Sequence, residues 1–362
     1  MRLNKLSLTN FRSYSSLECD FQEGVITFIG DNGAGKTNIA EALIYLAYLS
    51  SHRVSNNQPL IKSGSEQAVI RAEVSSHDRK LTVDLEINAH KANRAKLNGN
   101  PVKSQREIVG VLQTIYFSPE DLDLVRGEPT GRRDFLDKLL ILRTPRIAGV
   151  ITDYERVVKQ RNILLKTRAP QNALLPWTEQ LIALGAELVS ARLSLVSKLN
   201  PYVSENYRAL NEVKPATIAY KANTEGLTTN SDESRAALEA KAEDVAAQEY
   251  ERGVSLIGPH RDDLSLNLGE FPAKGYASHG ESWSMALSLK LGALNLVRSE
   301  GSEPILILDD VFAELDTTRR EHLTAATKVS EQTFITAAVE SDLPSDLNPA
   351  RFYVEDGQVR HG

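Results

Sequence analysis

Near the N-terminus, one stretch has the residue types and the spacing of a phosphate-binding loop. It reads Gly30-Asp31-Asn32-Gly33-Ala34-Gly35-Lys36-Thr37, which matches the pattern G-x-x-x-x-G-K-[ST]. Glycines let successive backbone N–H groups turn toward a phosphate, the lysine neutralises its oxygens, and the hydroxyl ligates Mg²⁺. These residues, with Asn38 after them, therefore predict a site for ATP and Mg²⁺. The alternative is a chance glycine-rich turn.

A second stretch supplies the carboxylates that such a site needs. Four apolar residues are followed by two acids in Ile305-Leu306-Ile307-Leu308-Asp309-Asp310. The apolar run predicts a buried strand whose carboxyl end lies beside the loop. We expect Asp309 to hold Mg²⁺ together with Thr37, and Asp310 to orient or deprotonate an attacking water, with Lys36 as the second catalytic residue. By itself, the stretch also fits a strand that runs into an acidic turn.

The hydrophobic pattern indicates the elements that must position these residues. An apolar run at residues 25–29 predicts a buried strand before the loop, and residues 38–49 predict a helix after it. Alternation of apolar and polar residues favours antiparallel strands with one wet face. It occurs at residues 5–9, 70–74 and 81–87. The Asn98-Gly99 pair is typical of a two-residue hairpin turn, and the N-terminal alternation predicts a strand rather than a signal peptide.

The middle of the chain has a different, helical period. Residues 131–200 are rich in Leu, Ala, Arg, Lys and Glu, and we expect three prolines to divide them into several helices. These prolines are Pro170, Pro176 and Pro201. Strand patterns return after Gly253. We therefore predict a discontinuous α/β head at 1–120 and 253–362, and an inserted helical arm at 121–252.

The composition excludes several classes of protein. The 362 residues are 41% hydrophobic and 25% charged, with a formal charge of −6. The single Cys19 excludes an internal disulfide framework and a multi-cysteine zinc site. Because no apolar run approaches the roughly 20 residues of a membrane helix, we expect a cytoplasmic protein without a membrane partner. A mildly acidic total does not exclude a local basic patch.

Two shorter motifs separate subclasses of phosphate-loop proteins. Ser278-His279-Gly280-Glu281 precedes a predicted helix, where Ser278 and Gly280 can offer a hydroxyl and a backbone N–H to a phosphate. A plain helix N-cap is the alternative interpretation. Glu314-Leu315-Asp316 follows the acidic strand closely.

Together these motifs resemble the ABC-type ATPases of the SMC class and, within that class, the RecF family of bacterial recombination-repair proteins. The phosphate loop, the Ser278 motif and the stretch from Leu308 to Asp316 carry the resemblance. Further blocks in the same order include Asn10-Phe11-Arg12-Ser13-Tyr14, Phe117-Ser118-Pro119-Glu120-Asp121-Leu122, Arg132-Arg133-Asp134-Phe135-Leu136-Asp137, Lys159-Gln160-Arg161-Asn162, Gly258-Pro259-His260-Arg261-Asp262-Asp263 and Phe334-Ile335-Thr336. SMC proteins carry long coiled coils, whereas this insertion has room for a short helical arm.

The resemblance implies an ABC-type P-loop ATPase head with an antiparallel β subdomain and an inserted, mainly helical arm. It implies an ATP-dependent homodimer in which Ser278 and Gly280 of one copy contact the γ-phosphate held at Lys36 of the other. Arg12 would contact the nucleotide, or else be a surface arginine. The implied function is binding to DNA near junctions of single and double strands, with RecR and RecO, to help load RecA, restart replication and support the SOS response.

Departures from the family pattern predict slow hydrolysis. We expect a weak, DNA-stimulated ATPase that uses hydrolysis as a switch. Ser282 and Trp283 follow the Ser278 motif, where RecF-like signatures continue with Gln and Arg. The Q-loop glutamine has no obvious counterpart, and its role falls to Glu120 or Asp121, which also fit a helix cap. Thr336 stands near the position where transporter ATPases place a histidine.

A basic stretch provides the candidate DNA surface. Residues 131–168 hold ten basic and four acidic side chains, a local excess of six positive charges. Such a face can neutralise several phosphates without sequence preference. The candidate contacts are Arg132, Arg133, Lys159 and Arg161, against the alternative of a solvated face paired with acids. His260 has no metal partner at a suitable spacing, so a structural role and a role near DNA both stay open.

Four rival functions account for less of the sequence. A small-molecule P-loop kinase leaves the Ser278 motif and the arm without a purpose. A transporter subunit lacks its histidine, and an ATP-gated nuclease needs a further carboxylate cluster. An SMC-like structural role in chromosomes is the remaining alternative.

Overall fold

The computed structural model describes residues 1–54, 56–76, 79–210 and 213–362. The N-terminal third is built mainly of strands around one helix. Its elements are β1 (Arg2–Phe11), β2 (Tyr14–Asp20), β3 (Gly24–Ile29), α1 (Lys36–Tyr48), β4 (Gln67–Ser76), β5 (Arg79–Asn88), β6 (Arg94–Leu97), β7 (Asn100–Pro101) and β8 (Thr114–Phe117).

The middle of the chain is mainly helical, and strands return toward the C-terminus. The middle elements are α2 (Leu122–Arg126), α3 (Pro129–Arg143), α4 (Ile147–Lys166), α5 (Gln171–Leu210), β9 (Ala216–Lys221), α6 (Ser231–Arg252), β10 (Asp263–Leu268), β11 (Phe271–Pro272) and α7 (Ala273–Tyr276). The remaining elements are α8 (His279–Ser299), β12 (Ile305–Asp309), α9 (Thr317–Lys328), β13 (Gln332–Ala337), β14 (Ala350–Glu355) and β15 (Gln358–His361).

The described chain divides into two compact units. Unit 1 comprises residues 1–121 and 286–362, and unit 2 comprises residues 122–285. The second boundary lies beyond the predicted one at 253, because β10 pairs with β9 along its whole length, from Asp263↔Lys221 to Leu268↔Ala216. Residues 253–285 therefore belong to the same unit as the inserted helices.

Unit 1 contains an antiparallel sheet and a mainly parallel sheet. The antiparallel sheet has the order β2-β1-β4-β5-β6-β7, and the parallel sheet has the order β15-β14-β3-β13-β12-β8. Leu6, Leu43 and Phe334, from β1, α1 and β13, belong to one buried apolar cluster that includes residues of both sheets. This arrangement confirms the predicted alternating strands, the helix after the phosphate loop and the central strands β3 and β12. At the predicted hairpin turn, Asn98 and Gly99 have φ angles of 52° and 76°.

Unit 2 is organised around helix α5. Its 40 residues contain Pro176 and Pro201, so the prediction that these two prolines end helices is wrong. A proline inside a helix removes a hydrogen bond and costs about 3 kcal/mol. The heptad-spaced Leu181, Leu188 and Leu195 are each at most 1% exposed, and burial of side chains of this size offsets a penalty of that order.

Length and composition alone would allow α5 to cross a membrane. Over its most apolar window, however, 56% of the helix is buried inside the protein. This burial is the property of a core helix. The sequence expectation that no apolar run is long enough overlooked α5, because polar residues interrupt its apolar ones.

A buried ion pair joins helices α4 and α6 of unit 2. The Arg161 guanidinium lies 2.6 Å from Glu249 Oε2, and the two side chains are 5% and 0% exposed. Arg161 also donates to Ser255 Oγ at 2.8 Å, and Glu249 Oε1 accepts the backbone N–H of Leu256 at 2.6 Å. Because both charges are desolvated, removing one partner leaves the other uncompensated.

We expect Arg161→Met to lower the free energy of unfolding of unit 2 by about 3–5 kcal/mol. Adding Glu249→Gln should restore part of the loss, since it removes the unpaired charge and keeps an acceptor for Leu256. Arg156→Met, at an exposed arginine of the same helix, should change the free energy of unfolding by less than about 0.5 kcal/mol. Urea unfolding followed by fluorescence measures this, because both tryptophans, Trp177 and Trp283, lie in unit 2. Equal effects of the two arginine substitutions would contradict the prediction.

Candidate nucleotide site

The phosphate loop connects β3 to α1 and depends on glycine at two close approaches. A Cβ on Gly30 would lie 2.1 Å from the carbonyl oxygen of Val354 on β14. Gly35 has φ +119°, and a Cβ there would lie 2.8 Å from the Tyr14 hydroxyl. Any larger residue would therefore displace the loop from the strands that hold it.

Lys36 begins helix α1, and its ammonium group lies over the loop. Nζ donates to the carbonyl oxygens of Gly30 at 2.6 Å and Asp31 at 3.1 Å, and the side chain is buried. The loop borders a cleft of about 380 Å³ that is also lined by Thr37, Arg53 and Asp310. A lysine at a helix N-terminus beside a cleft favours an anionic ligand, because the helix dipole and the ammonium charge act in the same direction.

Asp309, at the end of β12, lies where the sequence predicts a metal ligand. Its Oδ1 accepts hydrogen bonds from Thr336 Oγ1 at 2.6 Å and Thr37 Oγ1 at 3.2 Å, and its Oδ2 accepts one from Tyr116 at 3.3 Å. Burial raises the pKa of Asp309; the hydrogen bond from Thr336 opposes this rise, and the charge of Asp310 adds to it. The carboxylate and the Thr37 hydroxyl are thus brought together from residues 272 positions apart.

Asp310 follows in a left-handed conformation, with φ 52°. Its backbone N–H donates to Thr336 Oγ1 at 2.9 Å. Thr336, noted in the sequence only as the place of a missing histidine, therefore bonds to both acids. Asp310 lines the cleft beside the loop. Its predicted role, to orient or deprotonate an attacking water, stays a proposal.

Arg12 is held by a carboxylate that the sequence reasoning missed. Glu41, on α1, is fully buried and accepts Arg12 Nε at 2.7 Å and Nη2 at 2.6 Å. Burial would raise the pKa of Glu41, but hydrogen bonds from Arg12 and Ser51 hold it below its usual value. Arg53 approaches Glu41 to 3.6 Å, donates to Asn38 Oδ1 at 3.1 Å and lines the cleft. The structure therefore places Arg53 at the cleft and pairs Arg12 with Glu41, while a nucleotide contact by Arg12 stays a prediction.

The Ser278 turn lies in unit 2, at the start of α8. The Ser278 backbone N–H donates to Glu281 Oε2 at 2.9 Å, and the Glu281 N–H donates to Ser278 Oγ at 3.2 Å. The ion pair with Lys214 and the Ser278 hydrogen bonds lower the pKa of Glu281 to about 2. This is a helix-capping box, so the alternative interpretation as an N-cap is confirmed. Ser278 is nevertheless exposed, as a phosphate contact requires.

With this geometry, the chain can be compared with known proteins. Residues 2–353 match a family model described as the RecF/RecN/SMC N terminal domain. The chain is 47% identical to the DNA replication and repair protein RecF of Streptomyces avermitilis, over 99% of both chains. It is 46% identical to the protein of the same name from Cutibacterium acnes, over 99% of this chain and 98% of that one. The chain belongs to the RecF family.

Solved structures agree with that membership. A structure of the recombination mediator protein RecF with ATPrS, in the RecFOR pathway, has a TM-score of 0.91 at 27% identity and covers 99% of this chain and 98% of that one. An Smc head bound to the C-winged helix domain of ScpA has a TM-score of 0.59 at 16% identity, over 100% and 97% of the two chains. The predicted fold, an ABC-type P-loop ATPase head with an antiparallel β subdomain and an inserted, mainly helical arm, is confirmed.

The residues of this RecF-family site fit ATP and Mg²⁺. Among the described residues, the side chains that donate hydrogen bonds to Asp309 are neutral hydroxyls of Thr336, Thr37 and Tyr116. A buried carboxylate with a nearby hydroxyl is an oxygen donor set suited to a hard cation such as Mg²⁺. Lys36, Thr37 and Asp309 would hold the metal nucleotide, and the metal would neutralise phosphate charge.

The two candidates for the Q-loop role differ in their contacts. Asp121 lies 2.8 Å from Lys290 Nζ and accepts the Ser118 backbone N–H at 3.0 Å. It therefore serves as a turn cap and ion-pair partner. Glu120 is exposed as a residue, although its carboxylate is partly desolvated. The desolvation tends to raise its pKa, but a hydrogen bond with Ser118 holds the pKa below its usual value.

The residues that depart from the family signature lie in the interior of unit 2. Ser282 is 0% exposed and Trp283 is 2% exposed. Ser282 Oγ donates to the Ser278 carbonyl at 2.8 Å and accepts Arg126 Nε at 3.1 Å. Trp283 Nε1 donates to His279 Nε2 at 3.1 Å. Both residues therefore stabilise the Ser278 turn through buried contacts and are not exposed to a ligand.

The structure does not assemble the four DNA candidates on one face. Arg132 and Arg161 are 5% and 4% exposed, and each is paired with an acid. Arg133 donates to the Asp262 carbonyl at 2.8 Å, while Lys159 is exposed. A net charge summed along the sequence treats these residues alike, but burial separates them. His260, 2.7 Å from the Tyr154 hydroxyl, has a pKa lowered by burial to about 4, which favours a structural role.

We expect Asp309→Asn to keep or raise the thermal stability of the chain without nucleotide, because it removes a buried charge and retains the side chain's size. The same variant should lose the Mg²⁺-dependent part of its stabilisation by ATP. Thermal unfolding with ATP, with and without Mg²⁺, measures both effects, with Asp84→Asn on the half-exposed face of β5 as the control. A variant that melts well below wild type and still responds to Mg²⁺ would contradict the prediction.

Proposed function

We propose that this protein is an ATP-dependent DNA-binding protein of recombinational repair, in which bound ATP closes a homodimer and slow hydrolysis releases it. The observation that carries the proposal is that Lys36, Thr37 and Asp310 line one cleft of unit 1, where Thr37 is hydrogen-bonded to the buried Asp309. An exposed Ser278 turn on unit 2 supplies the second half of a nucleotide sandwich between copies. Binding of the γ-phosphate then acts as the switch.

The names of the relatives support the biological setting. The curated relatives are called DNA replication and repair proteins, and the structural relative is called a recombination mediator in the RecFOR pathway. We extend this to the present chain as a cytoplasmic protein that acts at junctions of single- and double-stranded DNA. RecR and RecO would be its partners in loading RecA, with effects on replication restart and the SOS response.

We expect hydrolysis to be slow because of the acid that faces the cleft, and we propose that DNA stimulates it. An aspartate at position 310 reaches less far toward an attacking water than a glutamate would. Its backbone is also fixed by the bond from its N–H to Thr336. A weak general base favours a long-lived ATP state, which suits a switch better than a motor.

For DNA contact we propose the exposed lysines of α4. Lys159 and Lys166 are seven residues apart, so they lie on the same side of the helix. They line one cleft of about 470 Å³. The neighbouring Arg168 instead donates to the carbonyls of Tyr250 and Glu251 at the end of α6. The two lysines therefore replace Arg132 and Arg161 as the candidate phosphate contacts.

Sedimentation tests the switch. Wild type should be a dimer with saturating ATP and DNA and a monomer without ATP, whereas Lys36→Arg should stay monomeric because its charge no longer fits the loop carbonyls and phosphates. Lys80→Arg, at an exposed position of β5, should behave as wild type. A wild-type chain that remains monomeric with both ligands would refute the mechanism.

Charge reversal tests the DNA surface. Lys159→Glu with Lys166→Glu should weaken DNA binding and reduce the slope of log affinity against log salt by about 0.9 for each phosphate that is no longer neutralised. Lys198→Glu, an exposed lysine on α5, should have a smaller effect. An unchanged affinity and slope in the double variant would place the DNA surface elsewhere.

A further inference from the structure

Two aromatic side chains of unit 2 lie stacked on its surface. Phe271, on β11, is 56% exposed and Tyr276, on α7, is 66% exposed. Their ring centroids are 5.2 Å apart and their planes differ by 20°. Exposed aromatic side chains in contact with one another are a common mark of an interaction surface, because they bring large apolar area at a small cost in conformational entropy.

The local backbone places both rings of this aromatic pair on the surface. The chain bends between the rings, where Lys274 has ψ 118° and Gly275 has φ 87°. Ala273 is buried beneath the bend. The Lys274 ammonium donates to the carbonyl of Gly127 and to Glu128 Oε1, each at 3.0 Å. These contacts join the bend between the two rings to the start of α3, and the rings stack on each other.

The aromatic pair is continuous with the Ser278 turn. The Ala277 backbone N–H donates to the Ala273 carbonyl at 2.9 Å, and the next residue is the exposed Ser278. In the proposed dimer, Ser278 meets the nucleotide held by the second copy. Tyr276, two residues before Ser278, must then lie close to that copy.

The phosphate-loop side of unit 1 has apolar groups that the aromatic pair can pack against. A cleft beside Asn32 is lined by Phe312, Ala337 and Ala338. Next to Ala338 in the chain, Val339 is 50% exposed, and the acid Glu340 follows it. The exposed Val339 gives this face an apolar group that the aromatic pair can cover, whereas Lys274 and Glu340 already have charged partners, Glu128 and Arg351. Because a two-fold dimer uses each patch once from each copy, the contact would occur twice.

We propose that Phe271 and Tyr276 form part of the ATP-dependent dimer interface, packing against the phosphate-loop face of a second copy of this chain. The inference rests on the proposed function and identifies a surface that the nucleotide itself does not touch. Removing the pair should therefore weaken dimerisation without weakening the binding of ATP to one chain.

The test is sedimentation of Phe271→Ser/Tyr276→Ser with saturating ATP and DNA, and the ATP affinity of the monomer is measured in parallel without DNA. Removing two interface aromatics should weaken the dimer at least about 10-fold. Leu175→Ser is the matched control, since Leu175 is 58% exposed on α5 of the same unit. Val339→Asp, on the phosphate-loop face of unit 1, should also weaken the dimer. Its effect on the dimer affinity should not add fully to that of the aromatic substitutions.

The outcomes separate this inference from the proposed function. If wild type fails to dimerise with ATP and DNA, both are overturned. If wild type dimerises and the aromatic variant dimerises with the same affinity, the inference alone is overturned. A variant that dimerises normally but loses affinity for single-stranded DNA would assign the rings to base stacking, which also overturns it.

Discussion

The arrangement of unit 1 around its cleft depends on how one buried carboxylate is satisfied. Asp309 accepts hydrogen bonds from three hydroxyl groups. They belong to Thr37 on α1, Tyr116 on β8 and Thr336 on β13. Tyr116 and Thr336 reach it because β8 and β13 run parallel to β12 on either side, so their carboxyl ends meet at one edge of the sheet. The same edge places the phosphate loop after β3. The parallel order of the strands therefore brings the phosphate loop, Asp309 and the hydroxyls that bond to it to one edge of the sheet.

The phosphate loop and the acidic strand could be predicted because their chemistry is written in consecutive residues. A loop needs its glycines, lysine and hydroxyl at fixed spacing, and a buried strand needs an unbroken apolar run. Tyr116, Glu41 and Arg53 could not be found in this way. Their roles arise from strand pairing and helix packing between distant segments, and no short pattern records such contacts. Glu41 carried one weak signal, a carboxylate on the apolar helix that follows the loop.

The predictions that failed share a physical cause, which is that burial overrides local preference. Pro176 and Pro201 are helix breakers by intrinsic propensity, yet α5 continues through both because buried residues such as Leu174, Leu199 and Val203 lie on either side of them. Arg161 counts as a surface cation in any tally of charge, yet it lies inside unit 2 against Glu249. Sequence patterns report the intrinsic conformational and solvent preference of each residue, and they do not report its contacts in the folded protein. The second domain boundary lies later than predicted for a related reason, since β10 pairs with a strand from the inserted segment, β9.

The bonds from Lys36 to the carbonyls of Gly30 and Asp31 have a consequence for how a phosphate meets the ammonium group. An ammonium group has three N–H donors, and the two carbonyls accept two of them. The third N–H is left for a phosphate oxygen, and the other two bonds set its direction. The loop backbone therefore determines where the lysine charge lies as well as where its own N–H groups point.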